Sequence, residues 1–186
     1  MPPKIRVTKE DIVETALELV RNEGAEALNA RAVAAALGCS TQPVFSNFAS
    51  MDDLRTAVVA KANELCGEYI RREVERGEFP VYKASGMAYI RFADEERELF
   101  KLLYMRDRSN EAPAEDKLGD AMVSVVQQNT GLSVQKAKLF HLEIWAYVHG
   151  IASLIATRFM TLDRELISRM LTDAYQGMRK HYGMEG

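Results

Sequence analysis

A cluster of short polar side chains follows Gly38 and has the chemistry needed to read the edges of DNA bases. Gln42 and Asn47 carry amides that can pair with N6 and N7 of adenine, and each good pair contributes about 1–3 kcal/mol of discrimination. Thr41 and Pro43 could contact thymine methyl groups. The residues predicted to touch DNA from this segment are Ser40, Thr41, Gln42, Pro43, Phe45, Ser46 and Asn47.

Basic residues near this cluster are the candidates for contacts with phosphate. Arg31 is the best candidate clamp, and Lys4 and Arg6 could reach the DNA backbone or the minor groove from an N-terminal arm. Residues 1–60 carry six basic and eight acidic side chains, whereas a DNA-binding domain is usually basic. We therefore expect the acidic side chains to face away from DNA, and non-specific affinity to be weak.

Two short helices joined by a tight turn are predicted to position these residues. The first spans residues 30–37, follows Asn29 as its N-cap and has Val33 and Leu37 on one face. Gly38 supplies the left-handed stop, and Ser40 is predicted to cap a second helix that starts at Thr41. Helix, short turn and helix in this order are typical of the helix-turn-helix motif.

Capping signals and apolar periodicity predict an all-α chain of about nine helices. Besides the pair above, helices are predicted over residues 8–22, 50–76, 81–94, 99–105, 114–130, 133–160 and 162–182. The predicted organisation is an N-terminal three-helix helix-turn-helix domain over residues 1–50, closed by a connecting helix over 51–76. A helical-bundle domain follows over residues 77–186.

The two C-terminal helices carry more apolar surface than one chain of this size can cover. The first is apolar nearly all round between Ile144 and Ile155, and the second has two adjacent apolar stripes. The economical arrangement is a two-fold homodimer in which these helices form a four-helix bundle with their copies. The predicted interface residues are Ala146, Gly150, Ser153, Leu166, Met170, Ala174 and Met178.

The chain resembles the TetR family of bacterial transcriptional regulators. The resemblance covers residues 8–60 and is carried by Thr8, Gly24, residues 31–35, Leu37-Gly38, Phe45-Ser46-Asn47-Phe48 and residues 50–54. Residues 145–154 also resemble a Trp-x-x-x-His-Gly signature of one subgroup of C-terminal domains. The family commonly has Tyr at position 45, His at 47 and Lys at 51, where this chain has Phe45, Asn47 and Met51. The resemblance therefore implies weaker contacts to the DNA phosphates than is usual in the family.

An effector pocket in the C-terminal domain is a further implication of the resemblance, which makes residues 77–186 a ligand-binding and dimerisation domain. Such a cavity would be mostly apolar and would take a small, mostly apolar effector. Aromatic residues at helical spacing are also typical of an ordinary core, and His149 could be a hydrogen-bonded core residue. The candidate lining residues are Tyr89, Phe92, Phe100, Leu103, Tyr104, Met122, Phe140, Trp145 and His149.

Nothing in the sequence has the spacing of a catalytic or metal site. The three histidines form no metal cluster by spacing, and no phosphate loop or nucleophile elbow is present. Two cysteines without a framework fit a reducing cytoplasm. We find no signal peptide and expect no stretch long and apolar enough to span a membrane. The expected protein is cytoplasmic, with no catalytic residue, metal, cofactor or membrane partner.

The function predicted from the sequence is a ligand-responsive repressor that binds a palindromic DNA operator as a homodimer. Two-fold symmetry would place two recognition helices in successive major grooves, roughly 34–36 Å apart. One alternative is a ligand-binding helical dimer whose N-terminal unit contacts protein instead of DNA. A second alternative is a small all-α enzyme that uses the C-terminal cavity.

Overall fold

A computed structural model describes residues 7–109 and 117–184, and within these ranges the fold is entirely helical, as predicted. A short 3-10 turn, Ala25–Ala27, follows the first helix. The nine α-helices of the described residues are α1 (Lys9–Glu23), α2 (Ala30–Ala36), α3 (Gln42–Asn47), α4 (Met51–Glu75), α5 (Val81–Glu95), α6 (Arg97–Tyr104), α7 (Lys117–Thr130), α8 (Val134–Ala156) and α9 (Arg164–His181).

The chain forms two compact units. The first contains the residues up to Leu65 together with Glu96–Arg106, so α6 packs with the helix-turn-helix segment. The second contains Cys66–Glu95 and the residues from Asp107 onward. Helix α4 contributes residues to both units, which is compatible with its predicted role as a connector. The predicted division at residues 50 and 77 stays a prediction.

The predicted helix starts in the first unit rest on side-chain caps. Thr8 and Asp11 form a reciprocal capping box, in which the Asp11 amide donates to Thr8 Oγ1 at 3.1 Å and the Thr8 amide donates to Asp11 Oδ2 at 2.8 Å. Asn29 Oδ1 accepts from the Ala32 amide at 3.0 Å, and Ser50 Oγ accepts from the Asp53 amide at 3.1 Å. These local bonds explain why α1, α2 and α4 begin close to their predicted residues.

The predicted start of α3 is wrong. The helix begins at Gln42, its N-cap is Thr41, and the cap makes no side-chain hydrogen bond. A cap side chain normally accepts from the second or third amide of its helix. For a cap at Ser40 the third position would be Pro43, and for the cap at Thr41 the second position is Pro43, which has no N–H to donate.

Three boundaries after α5 also differ from the prediction. Helix α6 begins two residues earlier than expected, at Arg97. Helix α8 ends at Ala156 instead of residue 160, and Arg158 just beyond it has a left-handed φ of 57°. Helix α9 starts only after Asp163, whose Oδ1 accepts from the Leu166 amide at 2.7 Å, a cap that the sequence analysis did not identify. Part of the predicted start of α7, residues 114–116, lies outside the described residues.

Helix α8 contradicts the expectation that no stretch could span a membrane by length and composition. Its 23 residues include a window with a mean hydropathy of 1.3, and 39% of that window is buried inside the protein. Its buried side, which includes Phe140, Ile144, Val148 and Ile151, packs within the second unit, chiefly on α5 and α7. The core helix of a protein without membrane segments can be equally long and apolar. The length and composition of α8 are therefore weak evidence for a membrane segment.

Candidate nucleic-acid interface and ligand site

Helix α3 is held in the first unit by two apolar side chains and presents its other side outward. Val44 is fully buried and Phe48 is 4% exposed, so both belong to the core. Gln42, Phe45 and Ser46 are exposed, and Ser40 just before the helix is exposed as well. Thr41, Pro43 and Asn47 are half-buried. Of the seven residues predicted to touch DNA, four are therefore exposed and three are half-buried.

Two of the polar side chains on α3 are already bonded to their own helix. Ser46 Oγ donates to the Gln42 carbonyl at 2.9 Å, and Asn47 Nδ2 donates to the Pro43 carbonyl at 2.8 Å. Bonds of this kind, from a side chain to the carbonyl four residues earlier, compete with contacts to other partners. The Gln42 amide is exposed and makes no side-chain hydrogen bond to any other described residue. Gln42 is therefore the best prepared of these residues for pairing with a base.

Of the basic residues predicted to contact phosphate, Arg31 lies within the described part of the chain. Arg31 is exposed in the first turn of α2, where unsatisfied backbone amides also favour anions. Lys4 and Arg6 lie outside the described residues. Lys9 was not singled out from the sequence, and its Nζ lies 5.0 Å from the ring centroid of Phe48. That contact ties the start of α1 to the residue that ends α3.

Three of the predicted ligand-site residues meet in the second unit. The Tyr89 hydroxyl on α5 lies 2.9 Å from Nδ1 of His149 on α8. The Trp145 ring, one turn earlier on α8, stacks on the His149 ring at a centroid distance of 4.9 Å and an angle of 15°. Desolvation by burial lowers the pKa of His149 below its ordinary value, which favours the neutral imidazole near pH 7. We call Tyr89, Trp145 and His149 the imidazole cluster.

The other six predicted ligand-site residues are distributed over α5, α6, α7 and α8. Phe92 is fully buried and packs edge-on against Tyr69 at 5.4 Å. Phe140 lies nine residues before His149 on α8, about 13 Å along the axis, among Tyr82, Tyr175 and Tyr182. Met122 is half-buried on α7. The three remaining candidates belong to α6, in the first unit: Phe100, Leu103 and Tyr104.

The aromatic group around Phe140 has the character of a packed core. The Tyr82 hydroxyl lies 2.9 Å from His141 Nδ1, and burial raises the pKa of Tyr82 well above its ordinary value. The Phe140 ring meets Tyr175 at 5.6 Å and Tyr182 at 5.5 Å in edge-to-face contacts. This group joins α5, α8 and the end of α9, so the core interpretation fits Phe140 better than a place in a ligand site.

The predicted dimer residues lie on the less buried sides of α8 and α9. Ala146 and Gly150 are exposed, and a Cβ added at Gly150 would meet no atom within 4 Å. Ser153 is half-buried, as are the α9 candidates Leu166, Met170, Ala174 and Met178, whereas their neighbours Ile167 and Leu171 are buried. Leu139 and Leu142, missed in the sequence analysis, are 50% and 57% exposed. Their spacing with positions 146 and 150 is helical, which is the signal that would have found them.

No group of three or more His, Cys, Asp or Glu residues suited to a metal ion occurs within residues 7–109 and 117–184.

The comparisons with known structures support the fold. A TetR-like transcriptional regulator from Rhodococcus sp. RHA1 is similar at 15% identity and a TM-score of 0.67, with 98% of this chain and 99% of that chain covered. A TetR-family member from Streptomyces coelicolor A3 is similar at 20% identity and a TM-score of 0.61, covering 89% and 96%.

A third similar structure is the multidrug binding protein EbrR complexed with imidazole, at 19% identity and a TM-score of 0.59, with 89% of this chain and 88% of that chain covered. Comparison with curated protein sequences found no match. The family model for the tetracycline-repressor-like C-terminal domain matches residues 82–175, which is half of the chain. The chain therefore belongs to the tetracycline-repressor-like, or TetR, family of transcriptional regulators.

Proposed function

We propose that this regulator is a cytoplasmic homodimeric repressor that binds a palindromic operator and responds to a small, mostly apolar effector. The observation that carries the proposal is the construction of α3. Val44 and Phe48 fix the helix to the first unit, while Gln42, Phe45 and Ser46 remain exposed along its outer side. A helix built in this way can enter a major groove without disturbing the core.

Phosphate contacts in this proposal come from few groups. Arg31 and the backbone amides at the start of α2 supply them from the described residues, and Lys4 and Arg6 are proposed to add contacts from the arm. The excess of acidic over basic residues in positions 1–60 argues for weak binding to DNA of arbitrary sequence. Sequence-specific contacts must then carry a larger share of the affinity than in a strongly basic domain.

The dimer is supported by the exposed apolar side of α8. Leu139, Leu142, Ala146 and Gly150 follow one another at intervals of three or four residues and all are exposed. Small residues at positions 146 and 150 allow a second helix to approach closely. Pairing α8 and α9 with their copies would bury this surface and set the distance between the two recognition helices.

The effector site is proposed at the imidazole cluster. Trp145 offers an aromatic face, and Tyr89 with the neutral His149 offers hydrogen-bonding groups, a combination suited to an apolar molecule with one polar group. An effector that binds one conformer of the dimer better than another would change DNA affinity by that difference in binding free energy. The remaining pocket candidates on α6 and α7 are not needed for this proposal.

The decisive experiment is binding to the DNA that flanks the gene of this protein. We expect a complex that scrambled DNA displaces poorly at low salt and that weakens as salt is raised. Absence of any sequence-specific complex at low salt would contradict the proposal.

Screening small molecules by thermal stability would then identify effectors, because a ligand that binds only the folded state raises the melting temperature.

One alternative has an observation in its favour. The acidic balance of residues 1–60 favours a dimer whose N-terminal unit contacts another protein instead of DNA. The same DNA-binding measurement separates the two functions, since the alternative predicts no sequence preference at any salt concentration.

A further inference from the structure

Phe45 is the most exposed large apolar side chain of the first unit within the described residues. It is 54% exposed on α3, whereas the flanking Val44 and Phe48 are 0% and 4% exposed. The ring therefore does little to hold the helix in place. Phe45 also lacks a hydroxyl, so it cannot form a hydrogen bond to a phosphate oxygen.

The neighbours of Phe45 limit what the outer side of α3 can offer to DNA. The hydroxyl of Ser46 donates to the carbonyl of Gln42, and Nδ2 of Asn47 donates to the carbonyl of Pro43. The exposed Gln42 side chain lies three residues before Phe45, which places the two on the same side of the helix. This side thus presents the amide of Gln42, which makes no side-chain hydrogen bond within the described residues, next to one apolar ring.

We propose that Phe45 contacts the 5-methyl group of a thymine in the major groove, beside an adenine that pairs with Gln42. The methyl group of thymine is the apolar feature of the major-groove edge, and Phe is among the side chains that contact it. The two contacts together select A·T pairs at a fixed position in each half-site. This inference rests on the proposed function, because it requires α3 to lie in a major groove.

Replacement of thymine by uracil tests this contact directly. Duplexes bound by the wild-type dimer are selected from a random pool, and each thymine of the selected site is replaced in turn by uracil, which removes only the methyl group. We expect the wild type to lose about fourfold in affinity at one thymine per half-site, because the substitution removes the burial of one methyl group. Phe45→Ala should bind the thymine and uracil duplexes equally at that position.

Two further variants make the result specific to Phe45. Phe45→Leu keeps an apolar side chain and should retain part of the sensitivity to uracil. Phe159→Ala removes a phenyl ring that is 76% exposed in the second unit, and it should keep the full wild-type sensitivity. Circular dichroism confirms that each variant is folded before binding is measured.

The outcomes separate this inference from the proposed function. A sequence-specific complex whose sensitivity to uracil is absent, or persists unchanged in Phe45→Ala, overturns the role of Phe45 and leaves the proposed function in place. Failure of the wild type to select any sequence overturns both.

Discussion

Nη2 of Arg164 lies 2.8 Å from Oε1 of Glu73, which joins the start of α9 to the last part of α4 within the second unit. Glu73 is only 1% exposed, and its Oε2 accepts from Arg91 at 2.9 Å and from Arg76 at 3.1 Å. Arg164 also bonds Glu78 at 2.6 Å. One buried carboxylate therefore links α4, α5 and α9 through three guanidinium groups.

Replacing Glu73 should destabilise the protein strongly. Glu73→Gln removes the charge that the three arginines share, and we expect a loss of about 2–4 kcal/mol in the free energy of unfolding, because breaking a buried ion pair leaves its partners uncompensated. Urea denaturation measures the loss. Glu75→Gln, an exposed neighbour on the same helix, is the matched control and should change stability by less than about 0.5 kcal/mol. Equal effects of the two substitutions would contradict the role of Glu73.

Acid should weaken the fold in part through His149. Its pKa is lowered by burial, so the unfolded chain binds a proton more readily than the folded chain does. The contribution of His149 to stability is complete above the unfolded pKa of about 6.5 and is lost as pH falls from there through the lower folded value. We expect His149→Gln to reduce the difference in unfolding free energy between pH 7.5 and pH 5.5. The exposed His181→Gln serves as the control, and a wild-type pH dependence in His149→Gln would refute the prediction.

Gln42 and Arg31 should affect DNA binding in different ways. Gln42→Ala is expected to reduce the preference for the operator over scrambled DNA by about tenfold, since one good base contact contributes about 1–3 kcal/mol. Arg31→Ala should weaken binding to all sequences alike. It should also reduce the steepness of the plot of log binding constant against log salt concentration by about one. Fluorescence anisotropy with both duplexes at several salt concentrations provides the measurement. If both variants change the preference equally, the two roles have been assigned wrongly.

A charge on the exposed side of α8 should prevent dimerisation. Gly150→Arg adds a side chain where a Cβ meets no neighbouring atom, so the fold of one chain should tolerate it. Its buried charge at the proposed interface would be unpaired in the dimer. Analytical ultracentrifugation at micromolar concentration should show one chain for this variant and two for the wild type. Gln128→Arg, on the exposed side of α7, should remain dimeric. A wild type with the mass of one chain would exclude the proposed dimer.

Much of the helical framework follows from local sequence signals. The helices predicted to begin near residues 8, 30, 50 and 133 do begin there, and their caps are Thr8, Asn29, Ser50 and Ser133. Such starts are predictable because a cap needs only a polar side chain and an amide three residues later. The start of α3 differs from the prediction, and Pro43 removes one of the two amides from which a cap at Ser40 could accept. In that case too the explanation lies in the sequence.

The candidate sites were predictable to very different degrees. The candidate DNA contacts on and before α3 come from one short segment, so the exposure of Gln42, Phe45 and Ser46 could be anticipated from the apolar positions of Val44 and Phe48. The ligand-site candidates come from several helices. Among the described residues, contacts join Tyr89, Trp145 and His149 in the second unit, and a separate ring contact joins Phe100 and Tyr104 in the first. Helical periodicity reports which side of a helix is apolar, and it does not report which helix lies opposite.

The sequence by itself determined that this protein is all-α with a helix-turn-helix near its N-terminus, because caps, glycine stops and apolar spacing act over a few residues. Only the tertiary structure decided that Glu73 is a buried centre of three ion pairs, since the sequence around it reads as an ordinary charged helix end. The same holds for the distribution of the aromatic residues between the imidazole cluster and the core around Phe140. Contacts between residues distant along the chain depend on how whole helices pack, and that information is not carried by any single segment.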